Sequence, residues 1–362
     1  MMKKILVAMS GGVDSSVSAA LLQEQGYEVC GVFMKGWSDP TFLTGHTLCP
    51  WEEDQEEARK AAAILHIPFY TWDVEDAYKA KVVDYMITAY RSGITPNPDV
   101  MCNKEIKCTL FLQRALALGF DMIATGHYVR TSVGDTKDKE GIQLLAGKDV
   151  QKDQSYFLWT LTQAQLRHIL FPVGDFVKPH VRALAEQFHL LNAQRKDSQG
   201  VCFVGQLKVF DFLKSKIGVQ KGPVMTRDGV KKGEHDGVCF YTIGQRHHLY
   251  VPGGAEVYYV VEKDIARNIL YVGIGKEDPL LYKKELCVTQ AHWISGERPL
   301  FPLSCHARIR YRQKCAPCEV RVEEGHNDRY RVVFVDAQRA VTPGQSIVFY
   351  EGDVVLGGGV IN

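Results

Sequence analysis

The chain has 362 residues, more than twice a usual single-domain length, so two or three domains are expected, each burying a core of its own. Its composition, 46% hydrophobic and 23% charged, is that of a folded protein, and a formal net charge of +1 leaves any nucleic-acid partner to be held by a local basic surface. No run approaches the roughly 18 apolar residues of a membrane helix, and the opening MMKKILVAMSGG meets Ser-Gly-Gly without a cleavage-site pattern, so neither a span nor a secretory leader is expected.

Taken in chain order, KKILVAMS (3–10) predicts a buried strand and 14–25 a helix, with Ala19, Leu21 and Leu22 on its inner face. YEVCGVFM (27–34) predicts a second strand, and WEEDQEEARKAAAILH (51–66) a charged amphipathic helix with Ala58, Ala61, Ala62 and Leu65 inward. IPFYTWDV (67–74), a helix over about 78–91, a proline-punctuated loop GITPNPDVMCNKEIK (93–107), a helix through TLFLQRALALG (109–119) and a strand in FDMIATGHY (120–128) follow. Alternating strands and helices imply βαβ units and an α/β, doubly wound, Rossmann-like parallel sheet, whose ligands bind beyond the carboxyl ends of the strands.

The texture changes near residue 205. After a helical LKVFDFLKSKIG (207–218), short β-branched and aromatic runs alternate with Asp-Gly, Gly-Gly and Arg-Asn turns, predicting a small β-rich domain. From about Tyr282, CHARIRYRQ, CEVRVEE, YRVVFVD and QSIVFYEGDVVLGGGVI recur at near-regular spacing, as in a compact β-barrel or sandwich. The expected domains are 1–206, 207–280 and 281–362.

The turn MSGGVDSSV (9–17) joins the first strand to the first helix. It lacks the lysine of a Walker A loop and the spacing of a dinucleotide fingerprint. It offers two glycines that bring backbone N–H groups up to an anion, hydroxyls at Ser10, Ser15 and Ser16, and Asp14 at a helix start, where magnesium would be recruited. The alternative is a plain turn in which Asp14 or Ser15 caps the helix. SGGVDSS resembles the pyrophosphate-binding loop of the N-type ATP pyrophosphatases.

Ten cysteines spread along a chain without an evident leader point to reduced thiols in a cytoplasm. Cys102 follows Pro96, Pro98 and Asp99 and precedes Lys104 and Lys107, cations that favour thiolate. Cys202 lies in DSQGVCFVG, after Arg195 and Lys196, and its alternative is a small core residue. Two thiols are the minimum for breaking a persulfide by exchange and delivering its sulfur.

SGGVDSS, NPDVMCNKEIK, ATGHY, KDQSYFL, DSQGVCFVG and TIGQRHHL, in this order, resemble the tRNA-specific 2-thiouridylase family nearly end to end. The resemblance implies a C-terminal β-barrel and ATP-dependent replacement of the C2 oxygen of the wobble uridine (position 34) by sulfur. It implies that Ala8, Met9, Ser10, Gly11, Gly12, Val13, Asp14 and Ser15 cradle ATP with Mg2+, aided by Met34 and Gly126, and that Asn97, Pro98 and Asp99 contact the target base. Cys102 would be the nucleophile, Cys202 the persulfide carrier, and Asp99 also fits acid/base work. His127, Lys152, Asp153, Gln154, Arg310, Tyr311 and Gln345 would touch tRNA. The implied partners are tRNAs for Lys, Glu and Gln and a sulfur-relay protein or cysteine desulfurase as donor, with no membrane.

From the residues themselves, Arg308, Arg310 and Arg312 at i, i+2 and i+4 would share one strand face, with Tyr311 opposite, as phosphate contacts or as a solvated face. Cys315 and Cys318 in CAPC have zinc-knuckle spacing without a second pair and are expected to be plain strand-turn cysteines. His247 and His248, adjacent on an expected strand, would face opposite ways, so no resident metal site is expected. An amidating ATP pyrophosphatase would have no use for the cysteine pair, and a non-catalytic RNA-binding module would not convert ATP to AMP.

Overall fold

The computed structural model describes residues 2–38, 50–134, 141–196, 209–249, 251, 256–326 and 328–362. The first sheet is parallel throughout, in the order β3-β2-β1-β4-β7, with β1 at Lys4–Ala8, β2 at Glu28–Lys35, β3 at Phe69–Asp73, β4 at Met122–Ala124 and β7 at Ile169–Leu170. Two helices, α1 (Val13–Glu24) and α2 (Pro50–Ile64), connect its first three strands. A helical stretch over 75–91, made of α3 (Glu75–Tyr78), a π-helical Lys79–Val83 and α4 (Asp84–Arg91), leads on to a second, α5 (Pro98–Met101), π-helical Cys102–Phe111 and α6 (Leu112–Ala117). The neighbours of β1 are β2 and β4, so the chain reverses direction across the sheet there, and the crevice between the ends of β1 and β4 is the expected ligand site. One face of this sheet packs Val13, Val17 and Leu21 of α1 with Ala58, Ala61 and Ala62 of α2.

Later helices are short: α7 (Gln163–Leu166), α8 (Lys178–Gln187) and α9 (Val209–Ile217). A second sheet, in the order β10-β11-β8-β9, combines the hairpin β8 (Gly222–Met225) and β9 (Lys231–His235) with β10 (Tyr258–Asp264) and β11 (Ile269–Ile274). Its core is shared with the 75–91 helices and with Cys102 and Ile106, which seats the middle of the chain on the cysteine helix.

The third sheet closes on itself. Strands β12 (Tyr282–Trp293), β13 (Leu303–Arg308), β14 (Ala316–Val322), β15 (Tyr330–Arg339), β16 (Ser346–Glu351) and β17 (Val354–Ile361) form an antiparallel six-stranded barrel sealed by the β12–β17 pairing. The N-terminal part contributes to it a hairpin that the sequence pattern did not reveal: β5 (Val129–Gly134) and β6 (Gly141–Ala146) extend the barrel sheet through β17. Leu144, Tyr156, Leu158 and Trp159 share one core with Val348, Tyr350 and Val355, so the first sheet and the barrel are welded through apolar contact.

Three expectations need correction. The segment 98–107 is helical, because Asn97 caps it, accepting from the Val100 N–H at 3.2 Å, and Pro98 takes the first helical position, where its missing N–H costs nothing. The arginine stripe does not form: β13 ends at Arg308, Arg310 and Tyr311 lie in the following turn, and Arg312 has φ +62°. His247 and His248 lie outside any strand, and His248 stacks on Phe210 with ring centroids 4.6 Å apart. Among the described residues no helix is long and apolar enough to cross a membrane.

Candidate active site

The loop after β1 is built to expose backbone donors. Met9 continues the sheet, its N–H donating to the Val32 carbonyl at 2.8 Å, and Gly11 then turns through φ +78°. A Cβ on Gly11 would lie 2.2 Å from the Asp54 carbonyl oxygen, so only glycine lets α2 approach this closely. Gly12 occupies the N-cap and, having no side chain, leaves the first N–H groups of α1 uncapped for an anion. Ser15 and Ser16 turn their hydroxyls back onto the Gly12 carbonyl at 3.0 and 3.1 Å, and Ser15 Oγ also accepts from the Ser10 N–H at 3.2 Å. The loop is therefore fixed before any ligand arrives.

Neither Asp14 nor Ser15 caps α1. Asp14 instead accepts from the Tyr128 hydroxyl at 2.7 Å and from the Lys178 ammonium at 2.7 and 2.9 Å. On the far side, Asn192 Nδ2 and Arg195 Nη1 both donate to the Gly11 carbonyl, at 3.0 and 3.1 Å, while Arg195 Nη2 reaches Asp54 at 2.8 Å. Arg195, read from sequence as a neighbour of Cys202, thus serves the loop. Desolvation raises the pKa of the Asp54 carboxyl from its ordinary value, opposed in part by Arg195.

Gly126, just beyond β4, presses on this loop: a Cβ there would sit 2.7 Å from the Ser15 nitrogen and 2.8 Å from the Asp14 carbonyl carbon. Ala8 ends β1, Val13 opens α1 and Met34 lies near the end of β2, so the residues expected at the nucleotide gather at one edge of the sheet. The next residue, His127, is buried, with Nδ1 2.7 Å from Thr125 Oγ1. Burial, aided by the charge on Lys107, holds its pKa well below the usual value, so the ring is neutral near pH 7.

Lys107 links this edge to the helix over 98–111. Its charge acts on His127 and also on Asp99, whose carboxyl is pushed up by burial while Lys107 opposes the rise. Cys102 sits in the first turns of that helix, 5% exposed, against the core of the second sheet. A π-helical stretch of this kind often marks a functional position. The following residue, Asn103, is buried with Oδ1 lacking a partner among the described residues. Cys202 lies outside the described residues.

The barrel holds the segment in front of Cys102. Gln345 Nε2 donates to the carbonyls of Thr95 and Pro96 at 3.0 and 2.9 Å, and the Thr95 N–H donates to the Pro343 carbonyl at 3.2 Å. Tyr156 reaches both Asn97 and the Ser346 carbonyl through its hydroxyl. Of the residues expected at RNA, Lys152 and Gln154 are partly exposed, but Asp153 is buried and turned inward onto Arg308, which is itself drawn away from the expected stripe. Arg310 donates to the Arg339 carbonyl at 3.1 Å, and Tyr311 packs on Phe157 with centroids 4.6 Å apart. Lys178, Tyr128 and Asn192 escaped the sequence reading, and nothing local marks them.

Three family models match in succession: a tRNA methyl transferase HUP domain over residues 3–206, a tRNA methyl transferase PRC-barrel domain over 210–274 and an aminomethyltransferase β-barrel domain over 283–361. Fold and loop together define a HUP-domain protein with a glycine turn at its switch point and an appended barrel. The chain is 44% identical over 359 residues to the tRNA-specific 2-thiouridylase MnmA of Shouchella clausii, covering 99% of this chain and 96% of that one. It is 45% identical over 364 residues to that of Streptococcus mutans, at 99% and 95% coverage, and 45% over 365 to that of Colwellia psychrerythraea, at 99% and 96%. The chain belongs to the tRNA-specific 2-thiouridylase family.

Proposed function

We propose that the protein is a tRNA-uridine 2-sulfurtransferase that activates the wobble uridine with ATP and delivers sulfur from a cysteine persulfide. The observation that carries this reading is the turn at Gly11 and Gly12, which leaves the first N–H groups of α1 open where Gly126 packs on the loop backbone, in a chain of the tRNA-specific 2-thiouridylase family. The uridine C2 oxygen attacks the α-phosphorus of ATP, and pyrophosphate leaves into the N–H groups of the 10–15 loop. Asp14 Oδ2 accepts one hydrogen bond from the described residues and keeps a lone pair, which suits a magnesium ion held by one carboxylate and the phosphates; that ion would offset charge on the leaving group.

Sulfur then displaces AMP at C2. In this reading Cys202 carries the persulfide and Cys102 attacks its inner sulfur, so the outer sulfur goes to the base and a Cys102–Cys202 disulfide remains, which a dithiol reductant resets. Asn97, Pro98 and Asp99 would hold the base, which leaves the anticodon stack at a cost of about a few kcal/mol. Lys152, Gln154, Arg310 and Tyr311 would meet tRNA on the side where barrel and first sheet join. Substrate tRNAs, for Lys, Glu and Gln, and a desulfurase or sulfur-relay donor place the reaction in the cytoplasm.

The test is incubation with ATP, magnesium, unmodified glutamate tRNA and a desulfurase-fed sulfur source, reading thiolated uridine by mass spectrometry beside Cys202→Ala. Thiolation lost in the variant supports both reaction and carrier; thiolation unchanged in it, or none in wild type, rejects the scheme.

Two narrower predictions follow from the packing. Gly126→Ala forces a methyl group onto the backbone of Asp14 and Ser15, a strain of about 1–3 kcal/mol. ATP affinity measured by calorimetry is then expected to fall about 10- to 100-fold. Gln345→Ala removes two hydrogen bonds worth about 1 kcal/mol each, and hydrogen exchange at 94–97 is expected to quicken while the barrel strands stay protected. Unchanged exchange there would show that Gln345 does not hold the segment.

A further inference from the structure

The phosphate loop contains no lysine, and a carboxylate, Asp14, stands in the first turn of its helix. A lone carboxylate beside a polyphosphate is repulsive, so the fold must place a cation within reach. Among the described residues Lys178 is a cation in direct contact with Asp14. It opens α8, comes from 164 positions away, is 7% exposed, and sets its ammonium against both oxygens of Asp14. Tyr128, two residues past Gly126, completes the cluster through its hydroxyl, and its ring lies 5.9 Å from the same ammonium. Asp14 is the more exposed partner, at 28% of its side chain against 9% for Lys178, so the pair is reached from solvent on the Asp14 side.

Burying a lysine costs several kcal/mol, and a buried ion pair seldom improves on an apolar contact. Tying α8 to α1 therefore does not account for the choice of a charged pair, because an apolar side chain at the same position would do so. What the ion pair adds is a loop edge that is electrically neutral without ligand and gains a positive point charge when Asp14 turns to another cation.

We propose that Lys178 is the phosphate-contacting cation of this loop, held in place by Asp14 and Tyr128 until a nucleoside triphosphate binds. The assignment rests on the ATP-dependent reading above and adds to it a residue, distant in sequence, that discriminates triphosphate from nucleoside. Its charge supplies to the β- and γ-phosphates what a Walker A lysine supplies from within its own loop.

The experiment compares ATP and adenosine binding to the full-length protein by titration calorimetry, for wild type, Lys178→Met and Lys178→Arg, with thermal unfolding as the check on folding. The expected result is ATP affinity down about 30- to 100-fold in Lys178→Met, as for loss of one charge-assisted contact, with adenosine affinity unchanged and ATP affinity largely restored in Lys178→Arg. Equal losses for ATP and adenosine, or no loss for either, would overturn the assignment and leave Lys178 a structural tie. Should Lys178→Met not fold, the Lys178→Met and Asp14→Asn double variant, which leaves no buried ion unpaired, is compared with Asp14→Asn alone; an ATP affinity no lower in the double variant than in Asp14→Asn likewise rejects the proposal. Wild-type protein that binds adenosine and not ATP would instead defeat the ATP reading itself, and this assignment with it.

Discussion

Cys102→Ala is expected to lower tRNA thiolation by about 10³-fold or more while first-turnover pyrophosphate release stays within a few fold of wild type. The two readouts separate because uridine activation precedes sulfur transfer, and Cys102 takes part only in the second. The substitution is mild for the fold: the thiol is nearly buried beside Ile106, and its removal costs about 1 kcal/mol of apolar contact. Cys108→Ala is the internal control. It lies on the same helix, but complete burial pushes its thiol up to about 12, so it holds no thiolate near neutral pH and its loss is expected to leave thiolation nearly unchanged. Mass spectrometry of the tRNA and a pyrophosphate assay on one preparation check both. Thiolation surviving in Cys102→Ala would place the nucleophile elsewhere, and simultaneous loss of pyrophosphate release would make Cys102 part of the activation site.

The first sheet was legible because its signals are local. A continuous apolar run meeting Gly11 and Gly12 can only be a strand entering a tight turn, and the alternation after it sets a parallel sheet. Local signals also misled. Prolines 96 and 98 suggested a loop, whereas Asn97 and Pro98 together start a helix, which carries Cys102 into a core. Alternating arginines suggested a strand face, but the strand stops at Arg308 and Arg312 takes a left-handed φ. Contacts between distant parts of the chain carry no sequence period at all. The pairing of β6 with β17, the clamp of Gln345 on Thr95 and the meeting of Lys178 with Asp14 are all of this kind.

Arg308→Met is expected to be the most destabilising of the single substitutions considered, by about 3–5 kcal/mol, because it leaves the buried Asp153 carboxylate without its cation. Asp153 uses its other oxygen to accept from the N–H groups of Gly147 and Ser155, both at 3.0 Å, so it fixes the turn that carries Lys152 and Gln154. Arg308 is held in turn by the Cys315 sulfur at 3.1 Å and by the Tyr350 ring, 4.6 Å from its guanidinium carbon. The pair thus anchors the expected tRNA-contacting turn of the first domain to the barrel. Adding Asp153→Asn to Arg308→Met removes the stranded charge yet keeps one amide oxygen for the two N–H groups, so more than half of the lost stability is expected to return. Denaturant unfolding measures these differences, and tRNA affinity measured alongside should fall in Arg308→Met and recover in the double variant. A single-variant cost of about 1 kcal/mol or less, the range of a solvated pair, would mean that the barrel is held by its apolar seam alone and that the turn reaches RNA without support from Arg308.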